Sequence, residues 1–265
     1  MKMGFSSTCV WSINPVEGIK FAEKLGVYSF ELWADHFFMN NDSAKEIKHV
    51  YEETGIIPTV HSSSWDLNLT STSMSVRDFS KERVKKSIDL AVEIGARVIT
   101  IHPGRKSFYR ADRKEITGIQ REVFHELFEY SGAETLKICI ENIENSVGEV
   151  MVNETDFLDF FEGFNDSLGV TMDVAHLGSF EKFKNFYSVL KDRICHIHIS
   201  DLNQNEIHIT MGEGVLETDK IFSFLKGSYN GIFSLEFYGN DPEGNEVEKS
   251  ILYLRNIERK IGWAD

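Results

Sequence analysis

Short apolar runs alternate with longer amphipathic stretches along this chain, and the alternation begins at its first residues. Residues 3–10, 27–32, 56–61, 97–102, 136–141, 168–173, 194–200 and 231–237 have the length and apolar density of buried strands. Between them, residues 15–25, 43–53, 79–94, 113–130, 154–161, 183–190, 218–225 and 246–260 read as helices. Local chemistry supports several of the helix ends. Asn14 precedes Pro15 as an N-cap before a proline suited to the first helical position, and Gly55 and Gly95 stand where helices stop. Val84, Ile88, Ala91 and Val92 fall at helical spacing. The sum is eight strand–helix units, the number that closes a (β/α)₈ barrel.

The competing architecture is a doubly wound open sheet. No GxGxxG follows the first strand and no GxxxxGK[ST] occurs, so its nucleotide-binding forms lose support. A length of 265 residues suits one α/β barrel, and no Pro/Gly/Ser-rich linker divides it, so residues 1–265 are read as a single domain. The longest connections, 62–78, 103–112, 142–153 and 201–214, all follow strands. In a barrel they would wall one mouth, where active sites form.

Composition changes the picture in three places. The formal net charge of −14 weighs against wrapping a nucleic-acid backbone, which usually wants a basic face. Cys9, Cys139 and Cys195 are odd in number, lack CxxC spacing and read as buried thiols of a reducing compartment. No apolar window reaches the roughly 18 residues of a membrane span, and the N-terminus reads as a first strand rather than a secretory signal. A cytoplasmic protein is the expectation.

The chemistry lies at the strand ends. His61, His102, Glu141, Asp173, His176, His198, Glu206, His208 and Glu236 are all metal-ligand residue types, and most close or follow an apolar run. Any one alone could be a satisfied core histidine or a capping carboxylate. Nine at once are different: buried carboxylates are costly unless paired or metal-bound, and the acids among the nine, converging on one mouth, would repel one another without cations. Asp173 and His176 form a D-x-x-H pair. Glu206 and His208 form an E-x-H pair that would share one face of an extended segment. Mixed imidazole and carboxylate donors suit Zn²⁺, Mn²⁺ or Fe²⁺, and the number of donors allows one to three ions. His196 is expected to point away from His198 into the barrel wall, as a structural residue. Trp33 and Trp65 are candidates to stack a sugar at the mouth, with wall packing the competing role, and Arg105 is a candidate to meet a phosphate.

The segments HSSSWDLNLTS from His61, ITIHPGR through His102, CIENI through Glu141, TMDVAHLG through Asp173 and His176, HIHISD through His198, HITMGEG from His208 and SLEF through Glu236 carry a resemblance. Over nearly its whole length the chain resembles the xylose isomerase-like TIM barrel superfamily. That group joins sugar and sugar-phosphate isomerases and epimerases with the endonuclease IV family. For the epimerase branch, the resemblance implies one divalent ion held by Glu141, Asp173, His198 and Glu236, with the two glutamates also moving a proton between the faces of a substrate carbon. For the endonuclease branch, it implies a trinuclear zinc cluster that adds His61, His102, His176, Glu206 and His208, where Glu206 replaces the usual Asp. The expected activity is metal-dependent isomerisation or epimerisation of a sugar or sugar phosphate, with His176 also touching substrate. The alternative is an endonuclease IV-like zinc phosphodiesterase. A homo-oligomer is compatible with either, and a catalytically idle carbohydrate-binding barrel is disfavoured by the intact acid/base pair.

Overall fold

A computed structural model describes residues 1–108, 110–132, 135–164, 167–239 and 241–263. In chain order the elements are β1 (Lys2–Ser6), α1 (Pro15–Leu25), β2 (Ser29–Trp33), α2 (Ala34–Asn40), α3 (Ala44–Thr54), β3 (Ile57–His61), α4 (Met74–Glu93), β4 (Val98–Ile101), α5 (Arg113–Ser131) and β5 (Lys137–Glu141). They continue with α6 (Glu154–Phe161), β6 (Gly169–Asp173), α7 (Val174–Leu177), α8 (Phe180–Leu190), β7 (Ile194–Ile199), β8 (Asp201–Leu202), β9 (Ile207–Ile209), α9 (Thr218–Leu225), β10 (Ile232–Leu235) and α10 (Asn245–Ile261). The parallel strands close in the order β1-β10-β7-β6-β5-β4-β3-β2, so the expected (β/α)₈ TIM barrel forms as one domain. Among the described residues, no helix is long and apolar enough to cross a membrane.

Each barrel strand has two unlike faces, since successive side chains point to opposite sides. One face of the strands is apolar: Phe30 and Leu32, Ile99 and Ile101, Ile138 and Ile140, Val170 and Met172, Ile197 and Ile199, Phe233 and Leu235, all buried. It packs under the helices, where phenylalanine dominates. Phe157 meets Phe186 at 5.2 Å, and Phe222 meets Phe233 at 5.0 Å. The other face is small or polar and turns into the barrel. Thr100 and Thr171 join hydroxyls across it at 2.8 Å, from two strands separated by a third. Barrel interiors are more often filled with branched apolar residues.

Helix α1 begins as expected, with Asn14 accepting from the Glu17 N–H at 3.0 Å ahead of Pro15. Four local expectations need correction. The first strand stops at Ser6, because the Ser6 hydroxyl accepts from the Thr8 N–H and starts a 3₁₀ turn over Ser7–Val10. Helix α4 starts at Met74, with Ser73 at its N-cap, five residues earlier than the amphipathic pattern suggested. Its first turns expose Met74, Val76 and Phe79, which erased the periodic signal there. The connection after β2 holds α2, and the 201–214 connection contains the β8–β9 hairpin. All three cysteines are free; Cys9 and Cys139 are buried as expected, whereas Cys195 is only half-buried.

Candidate metal centre

Strand ends deliver the donors. Glu141 ends β5, Asp173 ends β6, His198 lies on β7, and Glu236 follows β10; all four are buried. One ligand atom from each lies within 4.8 Å of the others. His198 Nδ1 sits 2.8 Å from Glu141 Oε1 and 2.7 Å from Glu236 Oε2. Asp173 uses Oδ1 to accept the His176 N–H at 2.8 Å, while its buried Oδ2 has no hydrogen-bond partner.

This centre demands positive charge. Burial alone would raise the Glu141 carboxyl, but the His198 charge and hydrogen bonds from His102, His198 and His61 hold it well below the usual carboxylate range. Burial would neutralise His198, yet Glu236, Glu31 and Glu141 push its imidazole well above the ordinary value. Burial raises the Asp173 carboxyl, against the pull of His176 and His208. Carboxylates in such a place need a cation, and a divalent ion bound by these four residues satisfies the same demand as the imidazole proton.

Two further groups flank the centre and share its carboxylates. His61, His102 and Glu141 form one, with His102 Nε2 3.1 Å and His61 Nε2 3.4 Å from Glu141 Oε2. Asp173, His176 and His208 form the other. The backbone sets the imidazoles here. His61 Nδ1 is 2.8 Å from the Ser62 carbonyl, His176 Nδ1 2.7 Å from the Asn142 carbonyl and His208 Nδ1 3.1 Å from the Glu236 carbonyl. A carbonyl only accepts, so each Nδ1 carries a proton; His61 Nε2 donates to Glu141, while the Nε2 atoms of neutral His176 and His208 offer lone pairs. The Nε2 atoms of His176 and His208 then face each other at 3.0 Å. Two lone pairs at that distance require a proton or a metal ion between them. The donor set therefore fits divalent metal.

The hairpin positions His208. Asp201, in the HIHISD segment, accepts four backbone N–H groups, from Leu202, Gly212, Gly214 and Leu216, at 2.9 to 3.0 Å. That carboxylate is spent on loop folding. Gly214 is required beside it, because a Cβ there would lie 2.3 Å from Asp201 Oδ1. His208 itself has φ of 61°, a strained left-handed backbone that turns its ring toward His176.

The same strain separates Glu206 from its predicted partner. Glu206 lies in the hairpin turn, where its N–H donates to Asn203 Oδ1, and its side chain is exposed. It joins none of the candidate ligand groups among the described residues. The E-x-H pair shares a face only in regular extended backbone; Glu206 lies before β9, and His208 within it departs from extended backbone at φ 61°. His196 also departs from expectation. Residues two apart on a strand share a face, so His196 points into the barrel with His198, their rings 5.0 Å apart.

The same alternation exposes a residue that sequence reasoning passed over. Ser29, Glu31 and Trp33 share the inward phase of β2, and Glu31 is 0% exposed. Its Oε2 lies 3.0 Å from His198 Nε2, and its Oε1 lies 3.3 Å from His196 Nε2. Its signal in the sequence is an acid inside an apolar run, away from the strand ends that carry the other donors.

Trp33 stacks on His61 with centroids 4.0 Å apart and is 2% exposed, whereas Trp65 is 42% exposed. Both line a cavity of about 520 Å³ with His102, Arg105 and Tyr238. Asn68 clamps the two sequence segments that form its wall. Its side chain accepts the Arg105 N–H at 2.9 Å and donates to the Arg105 carbonyl at 3.0 Å. Gly104, at φ 86°, lets Thr70 approach to where a Cβ would clash at 2.6 Å. Thus DLNLTS and HPGR are bound to each other through the main chain, and the Arg105 side chain stays exposed. A second cavity, of about 610 Å³, adjoins His176 and is lined by Lys106, Arg113 and Lys182.

The model of the family described as xylose isomerase-like TIM barrel matches residues 19–257, and the chain belongs to that family. It is similar to uncharacterized protein MJ1311 of Methanocaldococcus jannaschii, 26% identical over 280 residues that cover 98% of this chain and 92% of that protein. A second protein of that organism, uncharacterized protein MJ1188, is 24% identical, with 94% and 93% covered. Crystal structures of a D-tagatose 3-epimerase-like protein (TM-score 0.83, 22% identity, 98% of this chain and 100% of that one) share the fold. So does D-psicose 3-epimerase of Clostridium cellulolyticum H10 (TM-score 0.81, 17% identity, 97% and 99% covered).

Proposed function

We propose that this chain is a divalent-metal-dependent isomerase or epimerase of a sugar or sugar phosphate. The observation that carries the reading is the buried convergence of Glu141, Asp173, His198 and Glu236, whose ligand atoms lie within 4.8 Å of one another, together with a buried Asp173 oxygen that has no hydrogen-bond partner. Similarity in fold to sugar 3-epimerases agrees with it. Zn²⁺, Mn²⁺ or Fe²⁺ suits these donors, and bound there it would supply a Lewis acid to polarise a substrate carbonyl and its neighbouring hydroxyl. Glu141 and Glu236 take and return the α-proton as general base and acid. Asp173 and His198 complete the ion's site. His176, Trp33, Trp65 and Arg105 stand where substrate would lie, Trp33, Trp65 and Arg105 along the cavity that reaches His102.

One observation favours a second reading, a phosphodiesterase of the endonuclease IV type. The flanking groups His61–His102–Glu141 and Asp173–His176–His208 offer room for two more ions. The net charge of −14 counts against a nucleic-acid substrate.

The test is solvent deuterium uptake into ketoses and their phosphates, run beside cleavage of an abasic-site duplex. In the isomerase reading, Glu236→Gln lowers exchange by roughly 10²–10⁴-fold while substrate still binds. His61→Ala and His102→Ala do much less. Efficient duplex cleavage with no deuterium uptake in any sugar, and with all three variants equally impaired, would replace the first reading by the second.

A further inference from the structure

We propose that Glu31 is a positioning residue for the metal centre, a buried carboxylate that fixes the His198 ring so that Nδ1 faces the ion. The inference rests on the metal-dependent reading above, and it assigns a role to a residue outside the four-residue ligand group.

His198 differs from the other imidazoles of the centre. His61, His176 and His208 each give Nδ1 to a backbone carbonyl; Nε2 of His61 faces Glu141, and the Nε2 atoms of His176 and His208 face each other. His198 is reversed. Its Nδ1 faces Glu141 and Glu236, and its Nε2 lies 3.2 Å from Glu31 Oε1 and 3.0 Å from Oε2. A carboxylate thus does for His198 what carbonyls do for the other three. It holds the N–H on the rear nitrogen, fixes the ring plane and leaves the forward lone pair for metal. Hydrogen bonds of this kind behind a ligating imidazole also raise its basicity.

Two features show that Glu31 is dedicated to this contact. It is 0% exposed in the middle of β2, beside Ser6 of β1 and Thr59 of β3 in register. A carboxylate there is costly unless a cationic N–H faces it. The two groups that do are His198 and His196, and only His198 meets it in hydrogen-bonding geometry. His196 Nε2 lies 3.3 Å away but is without a hydrogen bond. Leucine or valine would be the ordinary filling of a barrel interior. Glutamate at this position is explained by the imidazole above it.

The experiment compares wild type with Glu31→Gln, Glu31→Asp and Glu31→Leu, using Zn²⁺ and Co²⁺ as probes. Circular dichroism and thermal melts of the chelator-treated proteins identify the variants that fold. Glutamine is isosteric and keeps an acceptor for Nε2–H, so it serves if leucine or aspartate fails. Zinc affinity, measured by chelator competition, should fall 10- to 100-fold in Glu31→Gln and further in Glu31→Leu. The Co²⁺ absorption bands should shift, which a merely structural change elsewhere in the barrel would not cause. In ¹⁵N-histidine spectra of the Zn²⁺-loaded wild type, His198 should carry its proton on Nε2. A wild type that binds zinc, with His198 protonated on Nδ1 or with unchanged affinity in folded Glu31→Gln, overturns this inference alone. A wild type that binds neither ion overturns the functional reading, and this inference falls with it.

Discussion

His198 is gripped from both edges of its ring by carboxylates, and that grip has a measurable consequence. Burial would strip its proton, but Glu236, Glu31 and Glu141 hold the imidazole well above its ordinary value near 6.5. In the metal-free protein the pairing therefore stabilises the fold fully below about pH 6.5, and the contribution is lost as pH rises through the folded-state value. A metal ion on Nδ1 must displace a proton, so affinity should keep rising with pH above 6.5. At pH 7.5 an ordinary imidazole would be about nine-tenths neutral and release almost nothing. We expect release of about one proton for the ion at the four-residue centre. Calorimetric titration in two buffers of different ionisation enthalpy measures it, and equal enthalpies in both would show that His198 had already lost its proton.

At the scale of elements, the β8–β9 hairpin brings His208 to the centre, and Asp201 folds the hairpin. Asp201→Ala would strand four backbone N–H groups from Leu202 to Leu216. Only the Leu216 bond is fully buried; one buried donor without a partner costs roughly 1–3 kcal/mol, and water can reach the other three, so stability should drop by at least about that much. His208 should also lose its place beside His176, while Glu141, Asp173, His198 and Glu236, on other elements, stay together. Ion binding at the four-residue centre should then survive, with any further ion lost. Hydrogen exchange across residues 201–216, together with metal stoichiometry by mass spectrometry, separates these outcomes. Unchanged exchange in that segment would rule out the scaffold role of Asp201.

The whole molecule places like charges together where water cannot reach them. Glu31, Glu141, Asp173 and Glu236 are all buried within one barrel of net charge −14. An ion that binds the folded chain alone stabilises it by about 2.7 kcal/mol at a hundredfold excess over its dissociation constant. For a chain of this size, with 265 residues, that is a rise of several degrees in melting temperature. Chelator-treated protein should show this rise with Zn²⁺, Mn²⁺ or Fe²⁺. No rise with any of them would remove the basis for a metal centre.

Much of this was determined by the sequence, because the signals are local and periodic. The strand–helix alternation, the Asn14–Pro15 helix start and the acids and histidines closing apolar runs specify a barrel with a ligand-rich mouth, and the fold closes that barrel with Glu141, Asp173, His198 and Glu236 together. What depends on backbone dihedrals and on contacts between distant residues was decided only in three dimensions. His208 at φ 61° broke the alternation that would have paired it with Glu206. The Asn68 clamp on Arg105 joins segments 37 residues apart. Glu31 and His198 are separated by 167 residues in the chain, and only barrel closure brings them within hydrogen-bond reach. A single sequence shows which residues can bind a cation. Which of their atoms face it depends on ring orientations, and those are set by partners that folding alone brings near.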